Sequence, residues 1–179
     1  FPLEVVLFPG ALLPLHIFEP RYRRLLADIT AGDGQFGLIM PGIAHEAPAV
    51  GAVGCVAHVR GTQPLEDGRA NIVVEGGTRF LLTRYLDEPA PYLVGMVEGF
   101  GDREGTEPAP DLELSFYAAA ELECDHASRQ PLLEGRSTAE RVALLLRMLP
   151  GLTTTVEQGL RVRRRAAHNG KGHHPPGHA

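Results

Sequence analysis

Short apolar runs separated by turn residues dominate the first hundred positions of the sequence. From Gly51 onward, apolar and mixed positions alternate, which is typical of a strand with one buried face. Asp67-Gly68 predicts a hairpin, and Gly76-Gly77 predicts the next tight turn. The runs that predict strands cover residues 3–8, 11–18, 35–40, 53–59, 71–75, 79–86 and 91–100. Short strands at this spacing favour a small β-barrel, closed or half-closed, of about six strands.

One helix is inserted into this strand pattern. Pro20 suits the first turn of a helix, and Tyr22, Leu25, Leu26 and Ile29 then recur on one face. The helical pattern ends at the glycine-rich stretch that follows. We therefore predict a single amphipathic helix between the second and third strands.

Beyond residue 110 the apolar spacing becomes helical. Residues 112–121 predict a first helix, and Ser137-Thr138-Ala139-Glu140 is a capping box that opens a second one. Residues 154–157 repeat the capping-box spacing and predict a third helix. In the second helix, the positions that we expect to face inward are Val142, Leu145, Leu146 and Leu149.

The complete pattern predicts an α+β architecture in four parts. A β-barrel covers residues 1–101, a polar linker covers 102–110, a helical segment of about three helices covers 111–167, and a disordered His-rich tail covers 168–179. Whether the helical segment packs on the barrel or moves as a second lobe is left open by the length of the linker.

The composition fits a globular chain that folds without disulfides. A chain of 179 residues buries roughly 70% of its unfolded surface. Cys55 and Cys124 are too few for a secreted disulfide scaffold, which indicates a reducing compartment, and Cys55 fits an inert core thiol. No apolar run approaches the roughly 20 residues of a membrane helix, and we see no signal-peptide pattern. We expect a cytoplasmic protein that makes no membrane contact.

Charge is distributed unevenly along the chain. Residues 151–179 carry five basic residues against Glu157, a local charge of +4, so the first 150 residues account for −9 of the net −5. An acidic body repels phosphate backbones, and nucleic acid is therefore an unlikely partner for it. The histidines of the tail would hold a transition metal only weakly, since nothing rigid orients them, and we predict no metal site there. These histidines are His168, His173, His174 and His178.

The residue types needed for catalysis do not form a recognisable set. Lys171 is the only lysine, and no Gly-x-x-x-x-Gly-Lys-Ser/Thr phosphate loop occurs. No Gly-x-Ser-x-Gly motif surrounds Ser115, Ser128 or Ser137, which are the only serines. We predict no catalytic residue and no cofactor.

Two weaker constellations have a simpler structural interpretation. His16 with Glu19 would suit proton transfer, but a histidine at a strand end more often bonds to the surrounding backbone. Cys124-Asp125-His126 places a thiol, an acid and a base in a row. Adjacent residues on a helix point about 100° apart, so these three side chains do not form a triad.

Two stretches near the N-terminus carry a family resemblance. Residues 2–10 (Pro-Leu-Glu-Val-Val-Leu-Phe-Pro-Gly) and 13–22 (Leu-Pro-Leu-His-Ile-Phe-Glu-Pro-Arg-Tyr) resemble the opening of the LON domain. This is the N-terminal substrate-binding domain of ATP-dependent Lon proteases, found also as a stand-alone bacterial protein and within cereblon. Further matches are Phe36-Gly37, Gly51-Ala52-Val53-Gly54, Gly76-Gly77-Thr78-Arg79-Phe80 and Pro91-Tyr92-Leu93. The likeness covers roughly residues 1–100.

The resemblance implies a PUA-like β-barrel that binds unfolded polypeptide or another protein and has no catalytic role. Binding would use an exposed sheet edge or an apolar groove, and we expect an exposed apolar patch near the barrel. The aromatic residues of the matched motifs are the candidates for contact, although any of them could belong to the core; they are Phe18, Tyr22, Phe80 and Tyr92. The ATPase and Ser-Lys peptidase modules of a complete Lon protease are not recognisable in this chain.

RNA binding is the alternative, because true PUA domains bind RNA. Residues 1–100 carry seven arginines against eleven acidic residues, which is the wrong sign for a phosphate backbone. Arg21, Arg23 and Arg24 could form a local basic patch, or they could be the solvated face of the first helix.

Overall fold

An antiparallel sheet and four helices make up the part of the chain that the structure describes. This computed structural model describes residues 1–103 and 112–149. The strands are β1 (Leu12–Ile17), β2 (Gln35–Ile39), β3 (Val53–Pro64), β4 (Ala70–Leu86) and β5 (Val94–Gly99). The helices are α1 (Pro20–Thr30), α2 (Leu112–Glu121), α3 (His126–Glu134) and α4 (residues 138–149), and a single 3₁₀ turn covers Ile43–His45.

Strand β4 organises the sheet. The strand order is β1-β4-β3-β2, and β5 also pairs with β4. The first part of β4 pairs with β1 and its last part with β5, both along one edge, while β3 pairs along the other edge. Every one of these pairings is antiparallel. The long β4 strand therefore pairs with three of the other four strands of this five-stranded sheet.

The predicted barrel of about six strands is not closed: in the described residues β1 and β2 do not pair with each other. The N-terminal residues lie along β2 instead, where Pro2 forms an isolated parallel bridge with Ile39. The backbone N–H of Leu3 donates to the Ile39 carbonyl at 3.0 Å, and the Ile39 N–H donates to the Phe1 carbonyl at 3.3 Å. These bonds satisfy the β2 edge that barrel closure would have used.

The predicted strand at residues 3–8 does not form, although its apolar run has a structural cause. Leu7 packs into a core under the sheet, whereas Val6 and Phe8 pack into a second core beneath the helices. All three side chains are buried. Successive side chains of this extended segment therefore point alternately into the two cores. In the described residues no strand pairs with the segment to form a ladder.

The predicted turn at Gly76-Gly77 is also wrong, because β4 runs through both glycines. A Cβ atom at Gly76 would overlap the carbonyl oxygen of Phe8, and one at Gly77 would overlap the imidazole of His58. The Gly10 N–H donates to the Gly76 carbonyl at 2.8 Å, and the Gly76 N–H donates to the Ala11 carbonyl at 2.9 Å. Glycine suits these two positions because the Phe8 backbone and the His58 side chain lie close to the β4 backbone, and not because the chain reverses direction there.

Two hydrophobic cores lie on opposite sides of the N-terminal segment. The sheet core consists of Leu7, Ile17, Tyr22, Phe36, Leu38, Cys55, Ala57, Ala70, Ile72 and Val74. The lobe core consists of Val6, Phe8, Val53, Phe116, Ala119, Leu122, Leu132, Leu133 and Leu145. Helix α1, predicted from its apolar face, covers the sheet core with Tyr22, Leu25, Leu26 and Ile29. Helices α2–α4, here called the helical lobe, pack on the sheet through the lobe core.

Helix α4 begins where the capping box predicted it, but it turns a different face inward. The Glu140 N–H donates to Ser137 Oγ at 3.4 Å. Of the four positions expected to face inward, only Leu145 is buried, and the other three are exposed. Arg141 is 1% exposed and occupies the inward face, because its guanidinium bonds to Asp102. An arginine at the centre of the buried face was not expected from the sequence.

Helix α3 was not predicted, and three of the sequence predictions lie outside the described residues. Asp125 caps α3 by accepting the Ser128 N–H at 2.8 Å. Most of the 102–110 linker, the third helix at 154–157 and the histidine tail belong to the part of the chain that is not described.

Candidate functional site

A groove lies between the N-terminal segment, the end of β1, the start of α1 and the segment that leads into β5. It has a volume of about 610 Å³, and we call it the Phe18 groove. Its apolar lining includes Pro14, Leu15, Phe18, Pro41, Ala47 and Leu93. This volume lies within the range of ligand sites in proteins.

Phe18 stands at the surface of the groove and is 58% exposed. Its ring stacks on His16, with centroids 5.9 Å apart and planes 20° apart. The His16 imidazole is held by a 2.7 Å hydrogen bond between Nδ1 and Asn71 Oδ1. Because Phe18 lies between β1 and α1, both of its flanks are fixed by regular structure. The result is an exposed aromatic ring in a defined position.

Tyr22, the second aromatic candidate, forms the floor of this groove. It is 7% exposed and its ring centroid lies 4.1 Å from that of Phe1. Arg21 lies over the same ring, with Cζ 4.5 Å from the centroid. Burial raises the pKa of the Tyr22 phenol. Tyr22 therefore offers little surface to a ligand and mainly shapes the groove.

Phe80 lies in a second cavity of about 350 Å³, which we call the Phe80 cavity. The ring is 4% exposed and fills the space above Gly37 and Gly54, where a Cβ atom would collide with it. The described residues that line the cavity include no Asp, Glu, Lys, Arg or His side chain. Its other apolar lining includes Phe36, Ile39, Val56, Leu82, Leu93 and Val97.

Tyr92, the fourth candidate, holds the chain between the two cavities. Its hydroxyl donates to Asp28 Oδ2 of α1 at 2.8 Å, and Arg24 Nε donates to the same oxygen at 3.0 Å. The bonds from Tyr92 and Arg24 lower the pKa of the Asp28 carboxyl, and the bond to Asp28 raises the pKa of the Tyr92 phenol. Tyr92 thus positions the next residue, Leu93.

Leu93 is the residue that sequence reasoning missed. It is 46% exposed, and it lines both the Phe18 groove and the Phe80 cavity. It belongs to the matched Pro91-Tyr92-Leu93 motif, in which only the aromatic Tyr92 was predicted to contact a ligand. Its exposure and the anchoring of Tyr92 to α1 are tertiary features, and no local pattern in the sequence indicates them.

The charged side chains that line the Phe18 groove are mostly acidic. Glu4, Glu19 and Glu46 contribute carboxylates, and Arg21 contributes the only guanidinium. Arg21 Nε donates to Glu19 Oε2 at 2.8 Å, so its charge is already engaged by one of these three acids. Glu46 is exposed, and its backbone is fixed by bonds with Gly42 at 2.9 Å and with Ile43 at 3.2 Å. The groove is therefore apolar inside and negative at its margin.

The arrangements considered for catalysis do not form in the structure. His16 is exposed and bonds to the Asn71 side chain, whereas a bond to the backbone was expected, and no hydrogen bond joins it to Glu19 among the described contacts. Asp125 is a helix cap, and burial raises the pKa of the Cys124 thiol, so this thiol has little nucleophilic thiolate. Burial likewise raises the pKa of Cys55 to about 12. Across residues 1–103 and 112–149, no three His, Cys, Asp or Glu side chains come together as a metal site would require.

A match to a protein-family model identifies the family of this chain. The model of the ATP-dependent protease La (LON) substrate-binding domain matches residues 1–115. The chain belongs to the LON substrate-binding domain family. The match includes β1–β5, α1 and the connecting segments that line both cavities, and it ends within α2. A LON substrate-binding domain is a non-catalytic type of domain.

Solved structures share the fold of this LON domain. A Lon N-terminal domain protein from Xanthomonas campestris matches with a TM-score of 0.67 at 24% identity, covering 82% of this chain and 94% of that one. The N-terminal domain of the Mycobacterium avium complex Lon protease matches with a TM-score of 0.63 at 17% identity, covering 80% and 91%. The helical lobe must contribute to these matches, since they extend well beyond residue 115. Within the described residues of this LON domain, no helix is both long and apolar enough to cross a membrane.

Proposed function

We propose that this LON domain is a non-catalytic module that binds unfolded polypeptide segments or a protein partner at the Phe18 groove and the adjoining Phe80 cavity. The observation that carries the proposal is the exposed, fixed ring of Phe18 at an apolar groove in a domain of the substrate-binding type. Aromatic side chains with one well-defined orientation give large contact areas at a low cost in conformational entropy.

The surface around the two cavities supports this proposal. Phe18, Leu93 and Val97, which line the two cavities, are each exposed by 46% or more, although they are large and apolar. In the described residues, the β5 strand that carries Met96 and Val97 pairs only with β4, so its other edge is open. An apolar surface beside an open sheet edge suits an extended polypeptide better than a compact polar ligand.

The surroundings of the serines support a role without catalysis. Ser115 Oγ donates to the Leu112 carbonyl at 2.7 Å, and Ser128 Oγ donates to Asp125 Oδ2 at 2.7 Å. Ser137 Oγ caps α4. Each hydroxyl bonds at a helix turn or cap, and among the described contacts none of the three bonds to a histidine; the Asp125 carboxylate that Ser128 meets is itself the cap of α3.

RNA binding is the alternative function, and the arginines near this surface do not favour it. Arg21 pairs with Glu19 and Arg24 pairs with Asp28, each within 3.0 Å. Arg23 lies against Gly68 of the β3–β4 hairpin. The three arginines therefore do not form a free basic patch. We also propose a reducing, cytoplasmic location, with the free thiols Cys55 and Cys124 as its support.

The proposal is tested by fluorescence anisotropy with a labelled, permanently unfolded polypeptide. We expect saturable binding. Phe18→Ala should weaken it by about tenfold, since the variant loses an aromatic contact that becomes buried when the polypeptide binds. Leu12→Ala is the matched control, because Leu12 is 66% exposed on β1, the strand that ends just before Phe18, but does not line either cavity.

A labelled single-stranded RNA is titrated in parallel at two salt concentrations. Salt-sensitive RNA binding with no polypeptide binding would contradict the proposal and favour the RNA alternative. Equal weakening by Phe18→Ala and Leu12→Ala would place the binding surface elsewhere.

A further inference from the structure

We propose that this LON domain selects polypeptide segments in which apolar and basic residues alternate, with an apolar side chain in the Phe80 cavity and basic side chains at the margin of the Phe18 groove. The inference rests on the proposed function and names the class of substrate that the site prefers. Its basis is the contrast in charge between two adjoining cavities.

The two cavities adjoin each other and share lining residues. Leu93 lines both of them, as do Phe1 and Pro2 of the N-terminal segment. The Tyr92–Asp28 bond fixes the backbone just before Leu93, at a distance of 2.8 Å. An extended segment that crosses Leu93 therefore contacts both cavities at once, and successive side chains are directed into different chemical surroundings.

The Phe80 cavity accepts only apolar groups. Its described lining provides no charged side chain, and its few polar groups include the Gln35 amide and the Tyr85 hydroxyl. The Tyr85 hydroxyl already donates to the Pro48 carbonyl at 2.6 Å. A charged side chain placed here would lose its hydration without gaining an ion pair. The volume of about 350 Å³ admits a large aliphatic or aromatic side chain.

The Phe18 groove has the opposite preference at its margin. Its described lining carries more carboxylates than guanidinium groups, and among these carboxylates the Glu46 side chain is exposed. The guanidinium of Arg21 is held by Glu19 at 2.8 Å, so it does not offset the charge of Glu46. Glu46 is fixed through its backbone beside the apolar residues Pro41 and Ala47. A Lys or Arg side chain can lay its aliphatic part on these residues and bring its charge to the carboxylate.

The charge of the surrounding domain acts in the same direction. Residues 1–100 carry eleven acidic residues and seven arginines, so the field of the domain attracts cations and repels acidic segments. The groove is therefore selective by attraction of basic segments and by repulsion of acidic ones. Selectivity of this kind affects association rate as well as affinity, and both decrease with salt.

Three labelled peptides of equal length test the inference with the complete chain. All carry the same leucines, separated by arginines, by serines or by glutamates. We expect the arginine peptide to bind about tenfold more tightly than the serine peptide, and the glutamate peptide to bind most weakly. The difference should shrink when salt is raised from about 0.05 M to about 0.5 M.

Variants separate the two cavities. Glu46→Gln should weaken binding of the arginine peptide about threefold or more and leave the serine peptide unchanged. Leu93→Ser should weaken both peptides equally. Glu123→Gln is the matched control, since Glu123 is exposed in the helical lobe and lines neither cavity, yet its removal changes the net charge by the same amount.

The outcomes distinguish this inference from the proposed function. Equal affinity for the arginine, serine and glutamate peptides would overturn the inference and leave polypeptide binding intact. Equal effects of Glu46→Gln and Glu123→Gln would also overturn it, because net charge would then replace the groove as the cause. Failure of all three peptides and of the unfolded polypeptide would overturn both.

Discussion

The sheet and the helical lobe are stabilised by different interactions, although each has its own hydrophobic core. In the sheet core every buried member is apolar, and the strands around it pair in local antiparallel order. The helical lobe is joined to the sheet by apolar contacts and also by a buried ionic cluster of Arg79, Asp102 and Arg141, which we call the Asp102 clasp. The lobe thus depends on partners that are far apart in the sequence, whereas the sheet depends mostly on neighbours.

The Asp102 clasp joins three elements through one carboxylate. Arg79 of β4 reaches Asp102 Oδ1 at 2.5 Å, and Arg141 of α4 reaches the same oxygen at 2.9 Å. Arg79 Nη1 also donates to the carbonyls of Leu133 and Gly135, at 2.7 and 2.6 Å, where α3 ends. Burial lowers the pKa of both guanidinium groups, and Asp102 counteracts this effect. Without the carboxylate, two positive charges would stay buried with no counter-charge.

The largest effect is therefore expected from Asp102→Asn. Removal of one partner from a buried ion pair costs about 3–5 kcal/mol, because the remaining charge is left uncompensated. We expect urea unfolding to show a large loss of stability, and hydrogen exchange in α2–α4 to accelerate more than in the sheet. Asp67→Asn is the control, since Asp67 pairs with Arg69 at the surface and the expected loss is below about 1 kcal/mol. Equal losses in the two variants would show that the clasp does not hold the lobe.

Gly76→Ala tests the segment that the two cores share. The added methyl would overlap the Phe8 carbonyl, which belongs to a backbone segment packed on both sides and cannot easily shift. We expect a loss of about 1–3 kcal/mol in the free energy of unfolding, as for other overpacked sites. Gly99→Ala is the control, because no atom lies within 4 Å of a Cβ at that position. A tolerated Gly76→Ala would mean that residues 8–11 adjust without disturbing either core.

This contrast also explains which elements could be predicted from the sequence. The strands β1 and β2 and the helices α1 and α2 follow from local periodicity and caps, and they lie where they were expected. Residues 3–8 and Gly76-Gly77 were misinterpreted, because an extended segment between two cores and a close backbone crossing look like a strand and a turn in a single sequence. The inward position of Arg141 was missed because its partner, Asp102, lies 39 residues away in the sequence.

The candidate site, like the fold, could be predicted from the sequence only in part. The sequence offered Phe18, Tyr22 and Phe80 alike as candidates for contact or for the core; Phe18 is exposed, whereas Tyr22 and Phe80 belong to the floors of the cavities. No local pattern distinguishes these three aromatics, since exposure depends on what the rest of the chain packs against them. Leu93 and the carboxylate of Glu46 come to the site from separate loops. Their contribution follows from the tertiary fold and has no local signature.

The smallest effect is expected from Tyr92→Phe, which loosens the link between α1 and the segment before β5. The bonds to Asp28 lower the pKa of its carboxyl, so their contribution to stability is present above the ordinary pKa and is lost as the pH falls through the folded value. Without the Tyr92 hydroxyl, the pKa of Asp28 should rise toward its ordinary value, as measured by NMR titration. The difference in stability between variant and parent should be greatest near neutral pH and should vanish in acid. Tyr117→Phe removes a hydroxyl from an exposed tyrosine of α2 and should leave Asp28 unchanged; an equal shift in both variants would show that the Tyr92 bond does not set the pKa of Asp28.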